Sequence, residues 1–254
     1  MFTLIQHPSF WIIKLNRPEV FNALNAELIH KIKEVAERTR SNESVRALII
    51  TGEGKAFCSG ADLKSGISNP DLGHVLRTTY NPMILALRSL EIPVIGAING
   101  MAAGAGCSLA LACDYLVAHE EAVFAELFVQ IGLTLDAGST AFLMQSIGYH
   151  KAFEIASSGR KIKADEAKAI GWVSEIIKSD DWEKRIEEIG AEWAAKPTRV
   201  LSFLKKGLQA AYTKNLEEVL EMETELQSHA GRSADFAEGV MAFLQKRKAE
   251  FQGR

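Results

Sequence analysis

The stretch IPVIGAINGMAAGAGCSLALACD, residues 92–114, decides how the chain folds. Its first eight residues are apolar and rich in β-branched side chains, and Pro93 is confined to their entry, so they predict a buried strand. Gly100, Gly104 and Gly106 then predict a turn in which the backbone can approach a ligand closely. Apolar residues at helical spacing follow. The turn therefore becomes a helix N-terminus, whose free N–H groups suit an oxygen that gains negative charge.

Strands and helices alternate on either side of this stretch. FWIIKL at 10–15 and VRALIIT at 45–51 predict strands, and a helix capped by Asn22 or Asn25 lies between them. This order predicts an α/β fold with a largely parallel sheet. Beyond residue 136 the pattern becomes mainly helical, with one more strand after Gly171. Helices are expected at 140–146 and 151–157, before Gly171, and from residues 181, 197 and 216.

Composition excludes several classes of function. The 254 residues are 47% hydrophobic and carry a net charge of −3, enough for a large core and without the basic excess that nucleic acid or an acidic membrane would attract. The three cysteines are odd in number and the six histidines form no pair at ligand spacing, so we expect no metal site and a reducing, cytoplasmic location. Without a leader or a long apolar segment, the protein should be soluble.

A second small-residue turn, GEGKAFCSGADLK at 52–64, follows the strand at 45–51. A tight loop without a ligand would explain it. However, it accompanies the turn at 100–106, and two turns at the ends of neighbouring strands can direct N–H groups at one point. Two such donors on one oxygen would form an oxyanion hole.

Three motifs resemble the crotonase superfamily, also called the enoyl-CoA hydratase/isomerase family: KAFCSGADLK, PVIGAINGMAAGAGCSLALACD and IGLTLDAGS. The resemblance extends from NRPEVFNALN at residue 16 to EGVMAFLQKRKAEF at residue 238, which is nearly the whole chain. It implies a ββα-superhelix core over residues 1–195 and a C-terminal helical trimerisation region over residues 196–254. It also implies a homotrimer or homohexamer and an acyl-CoA substrate, with no separate cofactor because coenzyme A is part of the substrate.

The resemblance implies that the backbone N–H groups of Ala61 and Ala105 bind the thioester oxygen and stabilise its enolate. Hydratases of the family carry two glutamates, and Ser108 and Phe128 stand at the matching positions here. Asp136, within IGLTLDAGS, instead resembles the aspartate of the ring-epoxide isomerase branch of phenylacetate catabolism, of related enoyl-CoA isomerases and of 4-chlorobenzoyl-CoA dehalogenases.

Asp136 is the candidate acid/base, in an apolar pocket with Phe128 and Leu133 that should raise its pKa. The alternative is that it caps the helix starting near Ser139. The sequence thus favours one-base isomerisation of a β,γ-unsaturated or epoxide-derived acyl-CoA. Three alternatives stay open: a hydratase that uses Glu126, which is otherwise expected on the surface or on a helix face; a dehalogenase-like hydrolase; and a non-catalytic CoA-binding protein.

The resemblance also implies a CoA site, formed by two N-terminal segments together with residues near the C-terminus. Lys64 and Lys246 are read equally as phosphate contacts and as solvated lysines. Cys58 and Cys107, which flank the two turns, are expected to be packing groups. The expected substrate contacts are Arg17, Ala23, Ala56, Ser59, Gly60, Asp62, Leu63, Lys64, Gly104, Phe128, Leu133, Phe243 and Lys246.

Overall fold

The fold is built on a six-stranded sheet, seen in a computed structural model that describes residues 1–63 and 71–253. The order of the strands is β1-β2-β3-β5-β7-β10. β1 pairs antiparallel with β2, and every later pair is parallel, as the alternation of strands and helices predicts. The strands are β1 (Phe2–Gln6), β2 (Phe10–Leu15), β3 (Ala47–Gly52), β5 (Val94–Ile98), β7 (Tyr115–His119) and β10 (Glu175–Ile177).

A second sheet of four short strands, in the order β4-β6-β8-β9, carries the two small-residue turns. Its strands are β4 (Ala56–Cys58), β6 (Met101–Ala103), β8 (Val123–Ala125) and β9 (Ile162–Lys163). β4, β6 and β8 are parallel, and β9 is antiparallel to β8. The chain alternates between the sheets, so that β3 and β4, β5 and β6, and β7 and β8 form successive layers. This is the ββα superhelix of the crotonase fold.

Helices cover the sheets. In the described part of the chain they are α1 (Ala26–Arg40), α2 (Leu72–Val75), α3 (Asn81–Arg88), α4 (Ala105–Leu111), α5 (Ser139–Ser158), α6 (Ala164–Ala169), α7 (Trp182–Ala194), α8 (Thr198–Ala210), α9 (Leu216–Ala230) and α10 (Ala234–Gln245). Asn25, not Asn22, caps α1, because its side chain accepts the Leu28 N–H. Gly148, with φ +71° and ψ 170°, is not helical and divides α5 into two helical segments, which agrees with the helices expected at 140–146 and 151–157.

Both faces of the large sheet are buried. Side chains such as Ile12, Ile49 and Ile95 point to one face, where they pack against Trp182 and Ile186 of α7. Alternate residues of the same strands point to the other face and join α1, α3 and α4 in the larger core. This two-sided burial explains why β3 and β5 are apolar throughout, as is usual for parallel strands covered on both faces.

The chain ends in three helices, α8, α9 and α10, in the region where the sequence predicts helices. The division into a core of residues 1–195 and an oligomerisation region of residues 196–254 remains a prediction. Of the helices in residues 1–63 and 71–253, none combines the length and the apolar character needed to cross a bilayer.

Candidate active site

Three neighbouring parallel strands of the small sheet end at the candidate site. Residues 59–63 follow β4, Gly104 and α4 follow β6, and Glu126 follows β8 directly. The Gly104 N–H donates to the Ala125 carbonyl at 2.9 Å, which ties the ends of β6 and β8 together. The expectation that the two turns lie at the ends of adjacent strands is confirmed.

Two glycines allow the turns to approach each other. Gly60 has φ +97°, and a Cβ there would lie 2.8 Å from the Ala103 carbonyl oxygen and 3.4 Å from the Ala105 nitrogen. A Cβ at Gly106 would lie 2.2 Å from the Cys58 carbonyl oxygen. Any side chain at either position would therefore push the start of α4 away from β4.

The Ala61 and Ala105 amides are placed so that both N–H groups can donate to a ligand. Leu24 forms a parallel β-bridge with Ala61: its N–H donates to the Gly60 carbonyl at 2.7 Å, and its carbonyl accepts from the Asp62 N–H at 3.0 Å. In such a bridge the N–H of the central residue, here Ala61, points away from the partner strand. Ala105 is the first residue of α4, where the N–H has no partner within the helix. Ala61 is exposed and Ala105 is buried.

Two asparagines, Asn22, which is buried, and Asn99, which is half-buried, support the first turn, a role that the sequence did not predict for either. The Asn22 side-chain amide donates to the carbonyls of Glu53 and Ala56, the latter at 2.7 Å. Asn99 accepts the Gly52 N–H and donates to the Gly54 carbonyl, each at 2.9 Å. The sequence does contain a signal for them, because Asn22 in NALN and Asn99 in AING each place a carboxamide side chain beside a segment of small residues.

Asp136 lies on the loop before α5, and its side chain does not cap that helix. The N-cap is Gly138, with φ +91° and no side-chain cap, and Asp136 only accepts the Ser139 N–H through its backbone carbonyl at 3.0 Å. The Oδ1 atom is buried and has no hydrogen-bond partner among the described residues. Burial raises the pKa of Asp136 to about 6.

Glu126 is buried, not exposed, so the expectation that it lies on the surface is wrong. It is 0% exposed, and the Ser139 hydroxyl lies 2.8 Å from its Oε1. The pKa of Glu126 is raised to about 7, because burial and, to a smaller extent, nearby Asp136 raise it more than hydrogen bonds from Ser139 and Cys107 lower it. The end of β8 lies beneath α4 and α5, a tertiary contact that the local pattern FAELFV does not reveal.

Other side chains near the turns are apolar or neutral. Phe128 is buried, and a Cβ at Gly104 would lie 4.0 Å from its ring, whereas Leu133 is partly exposed. Burial raises the pKa of the Tyr80 phenol, and the nearby charge of Asp136 raises it further, which places this unpredicted tyrosine close to Asp136. Cys58 is buried and its pKa is raised to about 12, which leaves it without thiolate character.

The predicted CoA contacts fall into three groups. Arg17 donates to the Asp62 carboxylate at 2.8 Å and to the Ala23 carbonyl at 2.6 Å, so these three residues join the first turn to residues 17–23. Ser59 donates to the Val20 carbonyl in the same segment, and Ala56 and Gly60 are buried beside it. Leu63 is exposed next to Ala61, and Lys64 lies outside the described residues.

Phe243 and Lys246 lie at the end of α10, far along the chain from the turns. Phe243 is 83% exposed, and Lys246 is the C-cap, with φ +53°. α10 bonds instead to the segment that follows it, through Glu238 with Arg247 and Asp235 with Gln252. In the described part of the chain, no hydrogen bond or ion pair joins either residue to the turns at 59–63 and 104–106.

Comparison with known proteins identifies the family to which the chain belongs. Residues 7–254 match the family model described as enoyl-CoA hydratase/isomerase. The chain belongs to the enoyl-CoA hydratase/isomerase family. It is 41% identical over 244 residues to a "Probable enoyl-CoA hydratase" of Rhodobacter capsulatus, with 96% of this chain and 94% of that protein covered.

Two further family members are informative. The 1,2-epoxyphenylacetyl-CoA isomerase of Escherichia coli is 35% identical over 247 residues, with 95% of this chain and 94% of that protein covered. The crystal structure of an enoyl-CoA hydratase from Bacillus anthracis superposes with a TM-score of 0.93 at 30% identity, covering 100% of this chain and 99% of that one. The resemblance seen in the motifs is thus confirmed, as is the crotonase fold.

Proposed function

We propose that this enzyme is an acyl-CoA isomerase in which Asp136 moves a proton on the substrate carbon chain. The observation that carries the proposal is the state of the Asp136 carboxyl group. It has a buried oxygen that no described residue bonds, a pKa raised to about 6, and no part in capping α5. A carboxyl group in this state is available to a substrate and ionised at neutral pH, as a general base must be.

The Ala61 and Ala105 amides would hold the thioester oxygen. Removal of a proton next to a thioester carbonyl places negative charge on that oxygen, and two N–H donors at the end of β4 and the start of α4 suit it. Asp136 would take a proton from one carbon of an enoyl-CoA or a ring-epoxide acyl-CoA. The enolate would then regain a proton at another carbon, which shifts the double bond or rearranges the ring.

The CoA portion would bind along the surface between residues 17–23 and 59–63. The Arg17–Asp62 pair and the Ala23 carbonyl keep these segments together, so Arg17 would support the site and not contact phosphate directly. Gly104, Phe128 and Leu133 would border the acyl group. Phe243 and Lys246 would reach CoA only if a neighbouring subunit of the proposed trimer supplied them.

Hydration of a 2-enoyl-CoA is the second candidate. The relative from Rhodobacter capsulatus carries a hydratase name, and Glu126 supplies a second carboxyl group with a raised pKa. Ser108 and Phe128, by contrast, offer no carboxylate at the positions where family hydratases carry glutamates. That difference favours isomerisation.

One assay separates the two reactions. Wild-type protein and Asp136→Asn would each receive a 3-enoyl-CoA and a 2-enoyl-CoA in deuterated water, with products identified by mass spectrometry. We expect migration of the double bond in the wild type and its loss in Asp136→Asn. Hydration of the 2-enoyl substrate that survives Asp136→Asn would instead identify a hydratase and refute the isomerase proposal.

A further inference from the structure

A chain of hydroxyl groups leads from the oxyanion turn to a buried acid. The Ser139 Oγ lies 2.8 Å from the Ser108 Oγ and 2.8 Å from the Glu126 Oε1. All three residues are 0% exposed. A hydroxyl group donates one hydrogen bond and accepts others, so Ser139 can accept from one neighbour while it donates to the other.

The Glu126 carboxyl group is poorly suited to a permanent negative charge. Its second oxygen, Oε2, is buried and has no N–H or O–H partner within residues 1–63 and 71–253, and the Cys107 thiol beside the carboxyl group is only a weak donor. Burying a carboxylate with one unpaired oxygen is costly, so the surroundings favour the neutral acid. The titratable groups that face it are the Cys107 thiol on α4 and the Asp136 carboxyl group on the loop before α5.

The other end of the chain lies beside the oxyanion turn. Ser108 follows Ala105 by three residues on α4, so the two lie on the same face of the helix. The Ser108 Oγ is 3.4 Å from the Gly104 carbonyl oxygen, at the residue before Ala105. Ser108 therefore lies one helical turn along α4 from the Ala105 N–H that would bind the enolate oxygen.

We infer that Glu126 is a second acid/base group of this site, which exchanges a proton with the substrate carbon chain through the hydroxyls of Ser139 and Ser108. The inference rests on the proposed enolate chemistry. Ser108 would be the member of the chain that meets the substrate, whereas Glu126 and Ser139 would act through it. The sequence FAELFV places the carboxyl group at the end of β8, where it meets α5.

The transfer balances in protons and charge. The Ser108 O–H bond breaks as a C–H bond forms on the enolate, and Ser108 regains a proton from Ser139. Ser139 in turn takes the proton of Glu126, which becomes the carboxylate as the enolate loses its charge. Asp136, protonated by the first step, then loses its proton to water, and Glu126 regains one from water.

Two carboxyl groups with separated pKa values suit this division of work. Asp136, with a pKa of about 6, ionises at lower pH than Glu126, with a pKa of about 7, so Asp136 is the better proton acceptor and Glu126 the better proton donor. The rate should therefore rise with pH as Asp136 ionises and fall as Glu126 ionises. The fall in rate at higher pH is therefore expected only if the chain of Glu126, Ser139 and Ser108, called the relay below, supplies the proton.

The test compares three relay variants with a matched control. Glu126→Gln keeps the hydrogen-bonding shape without an acid, and Ser139→Ala and Ser108→Ala interrupt the chain. Ser202→Ala removes another buried serine, on α8. We expect kcat for 3-enoyl-CoA isomerisation to fall about 100-fold in the relay variants, with KM little changed and the alkaline decline lost. Ser202→Ala should match the wild type.

A second measurement is independent of turnover. The infrared difference between wild type and Glu126→Gln should contain the band of a neutral carboxyl group that disappears near pH 7. If Glu126 is ionised from pH 5 to 9, or if Glu126→Gln and Ser139→Ala retain both kcat and the alkaline decline, the inference is wrong. If either Glu126→Gln or Ser139→Ala fails to fold, the remaining variant still tests the inference.

The same proteins separate this inference from the proposed function. Wild-type isomerisation with unaffected relay variants would overturn the relay and leave the isomerase proposal intact. Wild-type hydration without isomerisation would overturn the isomerase. The relay would then be judged by the same variants on hydration, since that reaction also ends with protonation of a thioester enolate. Absence of both reactions would overturn both proposals.

Discussion

The Asp136 side chain couples the proposed chemistry to stability. Its pKa is raised from 3.8 to about 6 by burial, so the folded state binds more protons than the unfolded state between these values. The free energy of unfolding therefore falls as pH rises from about 4 to 6, and this reduction in stability is fully present above pH 6. After allowance for partial exposure, it is on the order of 1 to 2 kcal/mol.

Asp136→Asn should consequently be inactive yet more stable than the wild type at pH 7.5. We expect a Tm higher by about 3 to 6 °C, because a chain of this size gains roughly 2 to 4 °C per kcal/mol. The advantage should vanish at about pH 3 or below, where the wild-type carboxyl group is mostly neutral in both states. Thermal unfolding at the two pH values measures this, and an equal Tm difference at both would contradict the burial of this charge.

The Ala61 N–H can be removed without changing the bonds that fix its loop. Leu24 bonds to Gly60 and Asp62 and not to the Ala61 N–H, so Ala61→Pro deletes only the proposed oxyanion donor. We expect kcat to fall about 10²- to 10³-fold, the usual loss for one such donor. Ala61→Ser keeps the N–H and should remain active. Circular dichroism would verify that both variants fold, and comparable rates would argue against Ala61 as a donor.

At the scale of elements, the contact between β4 and α4 positions the two turns. Ala at Gly106 would place its Cβ 2.2 Å from the Cys58 carbonyl oxygen, and backbone atoms on both sides leave no flexible group to yield. Gly106→Ala should therefore separate the Ala61 and Ala105 amides. We expect loss of at least 10²-fold in kcat and lower stability.

Gly207→Ala is the matched control, because it makes the same change in another helix. There the new Cβ would lie 3.6 Å from Leu226, an ordinary contact, and alanine favours α8 by about 1 kcal/mol over glycine. Activity should be unchanged and Tm equal or higher. If Gly106→Ala behaves like Gly207→Ala in kinetic and unfolding measurements, the close approach of α4 to β4 does not matter for catalysis.

How much of this could be read from the sequence differs between elements. β5 and α4 could be predicted because their apolar patterns and the glycines between them are local signals. The three-residue strand β6 within the predicted turn could not, since its pairing with β4 and β8 is long-range. Glu126 was placed on the surface for the same reason: its burial depends on α5, which begins thirteen residues later.

For the whole molecule, the C-terminal helices leave an apolar surface that one chain does not cover. α9 contains no buried residue, although Leu216 and Leu220 lie on it and Leu216 is 71% exposed. Leu208 of α8 and Phe243 of α10 are exposed as well. Apolar patches of this kind mark interfaces, and closed symmetry is the usual result for identical subunits.

We therefore expect a trimer, or two trimers paired, held by residues 196–254. Three chains of 27.9 kDa would sediment as about 84 kDa. Leu220→Lys should shift the protein toward monomer in analytical ultracentrifugation, because it places a charge in the proposed contact. Leu85→Lys, at a leucine of α3 that is comparably exposed in the single chain, should not. A monomeric wild type would refute the trimer, and equal dissociation by both variants would mean that the interface extends beyond the C-terminal helices.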